Sequence, residues 1–158
     1  MTGVQTCALT ISSVKDRTVV ITPEAVAALA PEGLKKRITT LANGKSVEKL
    51  GVKIEAVPMY NLTAARLRFH NKGRGNGYVM TFGGKRVYVS GDTEDIPEMR
   101  ALKNIDAAFV CMNLPYTTTP EQAADAVREC KPRVATPCHD RGGGPAPFTN
   151  LVRRPCEA

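Results

Sequence analysis

Tryptophan is absent from this 158-residue chain, histidine occurs only twice, and aromatic residues make up 5% of it. Four Tyr and four Phe do not interleave with the Lys and Arg residues, so a base-stacking platform has no material to form from. The net charge of +7 is scattered, in pairs such as Lys35-Lys36 and Arg153-Arg154 rather than a long run. That pattern disfavours nucleic acid and suits a surface that draws in an anionic small-molecule substrate. No apolar run approaches the length of a membrane span, which excludes a membrane partner of that kind. The first residues lack the charged start and long apolar core of a secretory signal, which fits a cytoplasmic setting. Five cysteines show no CxxC or CxH spacing, and their odd count argues against a full disulfide framework and for a reducing compartment.

Familiar catalytic patterns are missing too. There is no G-x-S-x-G elbow, and two histidines leave little room for a serine or cysteine triad. Gly73 to Gly77 is glycine-rich but lacks both GxGxxG spacing and the Walker Lys-Ser/Thr, so backbone freedom is its simpler role. Cys138 adjoins His139, yet neighbours on an extended backbone point to opposite faces.

What is present is hydrophobic patterning adequate for a core, at 42% apolar residues, in one domain or half of a larger one. Arg17 to Ile21 reads as a strand, followed by a helix that Thr22 caps and Pro23 opens, running to Ala30. Arg37 to Leu41 and Val47 to Val57 flank Asn43-Gly44, a strong hairpin signal. Pro58 to Asn76 is irregular. Tyr78 to Phe82 and Lys85 to Ser90 form a second hairpin across Gly83-Gly84. Asp95 and Glu98 resemble a capping box opening a helix to about Lys103, and Thr119 with Gln122 resembles another. Ile105 to Met112 has the pattern of a strand covered on both faces, and Arg133 to Thr136 is a last strand. The order is β-α-β-β-β-β-α-β-α-β, an α/β fold with a sheet covered by helices.

The ends read differently. Gly3 to Ile11 resembles a translated sequencing adaptor, which makes residues 1–13 a non-native lead; the alternative is an ordinary strand-like start. Residues 142–158 open on Gly142-Gly143-Gly144-Pro145 and show no regular period, so a flexible tail is expected there. The body is then 14–141.

Three metal-ligating residue types stand just outside apolar runs: His70, Asp92 and His139. Asp92, one glycine past a strand, is either a site carboxylate on a rigid element or a turn and capping aspartate. His139 is equally readable as an exposed loop histidine, and exposure is the default for His70 in its polar, Gly-rich segment.

Val57 to Asn61, Phe69-His70-Asn-Lys-Gly, Ser90 to Pro97 and Asn113 to Pro120 resemble the metallo-β-lactamase superfamily, in its lactonase-like branch of metal-dependent hydrolases. The resemblance implies a partial αβ/βα sandwich, a mixed sheet with helices on its outer face. It implies a dinuclear site, two Zn2+ per intact domain with Mn2+ as the alternative, in which Asp92 bridges the ions and His139 completes the second position. His70 takes the remaining histidine position, although related branches place that ligand nearer Asn61. A metal-activated water would attack an ester, lactone, amide or phosphodiester. The family's His-x-His-x-Asp-His signature occurs nowhere in the chain, so the expectation is a C-terminal half, inactive in isolation. The competing reading is a non-catalytic α/β module binding an anionic ligand or a protein partner.

Overall fold

A computed structural model describes residues 18–140 and 144–152. The adaptor-like lead lies outside them. Strand β1 (Val20–Thr22) is followed by two single turns of helix, α1 (Glu24–Ala27) and α2 (Glu32–Lys35). The helix expected to run to Ala30 is shorter, ending at Ala27, and Pro31 then stands at the cap position of a separate turn, α2. Thr22 makes no cap; Pro23 occupies that position without a side-chain bond.

Strand β2 (Ile38–Thr40) pairs in parallel with β1, Val20 beside Ile38, in a two-stranded sheet of its own. This corrects the hairpin expected at Asn43-Gly44. The run from Val47 instead folds on itself as β3 (Ser46–Lys49) and β4 (Val52–Met59). Leu50 and Gly51 make the turn with φ of 54° and 74°, the left-handed pair that a two-residue hairpin loop demands. Asn43 serves elsewhere, donating from Nδ2 to the Gly75 carbonyl at 2.9 Å and to Asn76 Oδ1 at 2.6 Å.

The main sheet has the order β3-β4-β5-β6-β7-β8, where β5 spans Gly75–Phe82 and β6 Lys85–Val89. The β5–β6 hairpin forms across Gly83-Gly84 as expected. Helix α3 (Pro97–Arg100) leads to β7 (Ala107–Cys111), and α4 (Pro120–Cys130) leads to β8 (Val134–Cys138). Pairing is antiparallel from β3 to β6 and parallel from β6 to β8, so the sheet is mixed. Thr119 and Gln122 form the expected reciprocal cap of α4. The one expected at Asp95 does not form: Ile96 holds the cap position, while Asp95 pairs with Arg100. Glu98 instead accepts from the Tyr60 hydroxyl at 2.9 Å and pairs with Lys72 at 3.1 Å.

One face of the sheet carries the core. Val79, Tyr88, Ala108 and Val110 pack against Ile96 and Met99 near α3 and against Ala123, Ala124 and Val127 of α4. Residues 146–152, which show no period in the sequence, form helix α5 (Ala146–Val152). Phe148 is buried in the core, and Arg128 donates to the Leu151 carbonyl at 2.9 Å. The opposite face is met at β4 and β5 by the β1–β2 region, where the Tyr78 hydroxyl lies 3.4 Å from the Ile21 carbonyl. Phe109 of β7 and Val134 of β8 are exposed, however, so β7 is not covered on both sides as its apolar run suggests.

Strands β4, β6, β7 and β8 all run the same way, because two antiparallel steps separate β4 from β6 and parallel steps join the rest. Their carboxyl ends therefore meet at one edge, where α/β sheets commonly build sites.

Candidate metal centre

Four segments leave that edge, carrying Asn61 after β4, Asp92 after β6, Asn113 after β7 and His139 after β8. Gly91 turns the chain toward Asp92 with φ of 66°, and a Cβ there would lie 2.9 Å from the Asn76 carbonyl oxygen. Only glycine suits both the dihedral and the close approach. The neighbouring strand ends are laced together: Ser90 N donates to the Phe109 carbonyl at 2.9 Å, and Cys111 N to Ser90 Oγ at 3.0 Å. Thr93 Oγ1 donates to the Tyr60 carbonyl at 2.9 Å, and Glu94 N to the same oxygen at 3.0 Å. Asp92 thus stands on a rigid platform, 6% exposed.

His139 Nδ1 lies 3.1 Å from Asp92 Oδ1. His139 has φ of 57°, a left-handed conformation uncommon for residues other than glycine and frequently found where function constrains the backbone. Its other ring nitrogen, Nε2, lies 3.0 Å from Asn113 Nδ2. With the carboxylate accepting from Nδ1–H, the Nε2 lone pair accepts from the Asn113 amide. Asn113 Oδ1 and Asn61 Oδ1 are both buried without a hydrogen-bond partner. Buried carboxamide oxygens in that state are unusual and mark places where a cation or a hydrogen-bond donor can be received.

His70 is half-buried and belongs to the same electrostatic neighbourhood. Burial lowers its pKa, with Asp92 opposing that shift and His139 reinforcing it. The net effect favours neutral imidazole, the ligating form. The structure brings Asp92 and His139 into contact and His70 within their field. Yet among the described residues no three His, Cys, Asp or Glu side chains adopt the arrangement of a metal shell. The donor set fits one side of a divalent-cation site rather than a closed one. Two surface hollows, one by Glu55, Arg86 and Leu102 and the other by Lys103, Glu129 and Arg133, lie away from it.

Glu94 is the residue that reading the sequence misses. Its carboxylate is 1% exposed, accepting from Leu62 N at 2.6 Å and Thr63 N at 2.7 Å and pairing with Arg66 at 2.6 Å. Burial alone would raise its pKa, but the Thr63 and Leu62 amides and the Arg66 guanidinium overcome that and leave it below the usual range. In the sequence Glu94 sits among Asp92, Asp95 and Glu98, a run that looks like a solvated face.

The family model described as the beta-lactamase superfamily domain matches residues 6–139. The chain belongs to the metallo-β-lactamase superfamily. Among superfamily relatives, a UPF0173 metal-dependent hydrolase of Symbiobacterium thermophilum is 32% identical over 119 residues, covering 65% of this chain and 53% of that protein. A second, of Deinococcus radiodurans, is 39% identical over 69 residues, covering 42% of this chain and 30% of that one. The crystal structure of a candidate metal-dependent hydrolase from Parabacteroides distasonis superposes with a TM-score of 0.80 at 40% identity. That match covers 88% of this chain and 61% of the other. Igni18, a metallo hydrolase of Ignicoccus hospitalis, shares the metallo-β-lactamase fold at a TM-score of 0.65 and 22% identity. The chain spans about half, or less, of the length of the curated relatives it matches.

Proposed function

We propose that this chain contributes Asp92, His139 and His70 to the divalent-metal site of a hydrolase acting on an ester, lactone, amide or phosphodiester. The observation that supports the reading is the 3.1 Å approach of His139 Nδ1 to Asp92 Oδ1 at converging strand ends. Zinc suits an imidazole and carboxylate donor set, with two ions in the complete site and Mn2+ as the alternative. A bound divalent ion would supply a water of lowered pKa and polarise the bond under attack. In this reading Asp92 accepts a hydrogen bond from the attacking water and orients it, burial favours neutral His70, and His139 exchanges its Nε2 contact with Asn113 for the ion. The surplus of positive charge attracts an anionic small molecule from a cytoplasmic pool.

Because the chain contains no His-x-His-x-Asp-His, we propose that it is a C-terminal half which binds metal weakly and hydrolyses nothing by itself. Metal content after dialysis, together with turnover of a generic ester and a phosphodiester, tests both statements. Weak metal retention that disappears in Asp92→Ala, with no turnover, is the expected result. Robust catalysis by the purified 158-residue chain would overturn the proposal of a half-site.

A further inference from the structure

We propose that the buried Glu94–Arg66 ion pair is a positioning pair that sets where His70 stands relative to Asp92 and His139. The inference rests on the metal-site reading and concerns residues outside the ligand set. The segment from Asn61 to His70 closes on itself through Asn61 N donating to the His70 carbonyl at 2.9 Å. Apolar contact holds this loop at one place, where half-buried Phe69 sets its ring edge-on to Tyr116 at 4.7 Å, while Leu62 and Leu67 are exposed. Polar anchors hold the rest. Glu94 reaches in from the segment just past Asp92 and takes the Leu62 and Thr63 amides with one oxygen and Arg66 with the other.

Arg66 extends the connection. It donates to the Thr117 carbonyl at 3.0 Å and lies 3.4 Å from Gln122 Oε1, the side chain that caps α4. The Arg66 carbonyl accepts from Asn61 Nδ2 at 3.0 Å, and the same amide donates to the Tyr116 carbonyl at 2.7 Å. Three segments that carry or support site residues are thereby tied at one ion pair: the His70 loop, the Asp92 segment and the stretch after Asn113. A second clip, Lys72 on Glu98, lies on the other side of His70, but its lysine is well exposed and screened by water. The buried pair therefore dominates. Its loss should free the loop while α4 and β7, held by their own apolar packing, stay in place.

The test is a double-mutant cycle on Co2+ binding, read from visible absorption of the full chain. Glu94→Gln keeps an acceptor for the amides but removes the ion pair, and is expected to weaken Co2+ about 10-fold or more. His70→Ala weakens it as well. If Glu94 acts through His70, the double variant binds Co2+ no more weakly than His70→Ala alone. Hydrogen exchange should show the Asn61 amide losing protection in Glu94→Gln while the amides of β7 keep theirs. Additive losses in the cycle, or an Asn61 amide still protected, would overturn the proposal. Should Glu94→Gln also lose protection in β7, Arg66→Lys carries the cycle under the same criterion. Failure of the unmutated chain to bind Co2+ would instead sink the metal-site reading beneath it.

Discussion

The Asp92 carboxylate and the His139 imidazole meet at 3.1 Å although 47 residues separate them. Two parallel strand pairings, β6 with β7 and β7 with β8, bring them together. If this contact is one side of a metal site, Asp92→Asn should reduce Zn2+ affinity by at least the ~10–100-fold seen when outer partners are removed. Competition with a chromophoric chelator measures it. An unchanged affinity would remove Asp92 from the ligand set.

Glu94 makes stability depend on acid. Its folded pKa is depressed, so between that value and the unfolded one, about 4.3, the native state holds fewer protons. The stabilisation is complete above the unfolded value and disappears as pH falls through the folded one. Urea titrations of the parent and Glu94→Gln should differ by a constant amount from pH 5 to 7, with the gap closing below about pH 4. Glu94→Ala, which strands the largely buried Arg66, should cost about 3–5 kcal/mol at neutral pH.

Gly91→Ala combines a left-handed dihedral with contacts of 2.8 Å to Met59 Sδ and 2.9 Å to the Asn76 carbonyl. A loss of about 2–4 kcal/mol in unfolding free energy is expected. Gly84→Ala, at φ of 71° with nothing within 4 Å, should lose only the strain, about 1–2 kcal/mol. Equal losses at both sites would mean that the close approach at Gly91 carries no weight.

Phe148→Ala tests whether α5 belongs to the core. Phe148 is 2% exposed, and its truncation should cost about 3–5 kcal/mol. Whatever divalent metal the parent chain binds, the folded variant should bind equally well, because α5 packs on α4 and carries none of the proposed site residues. A loss below about 1 kcal/mol would make the helix peripheral.

Local chemistry explains what could be read from the sequence. The Gly83-Gly84 hairpin and the Thr119–Gln122 cap depend on residues within a few positions of one another, and both formed as expected. Asn43-Gly44 misled because turn strength is only half of a hairpin. β2 found a partner in β1, and Leu50-Gly51 offered a tighter turn to the following strands. The candidate site was legible as residue types standing after strands. The contact between Asp92 and His139, and the part of Asn113 beside it, come from strand register and sheet order, which no local pattern encodes.

Strand β8 ends the described sheet, and its residues alternate between two sides. Val134 N donates to Asp106 O at 3.1 Å and Cys138 O accepts from Met112 N at 2.9 Å, so even-numbered positions bond inward and Pro137 faces outward. A proline there offers no amide to a newcomer. Any chain attempting to extend the ladder along this margin would forfeit a rung two residues before His139. The imidazole thus follows a margin whose proline withholds one rung from any added strand.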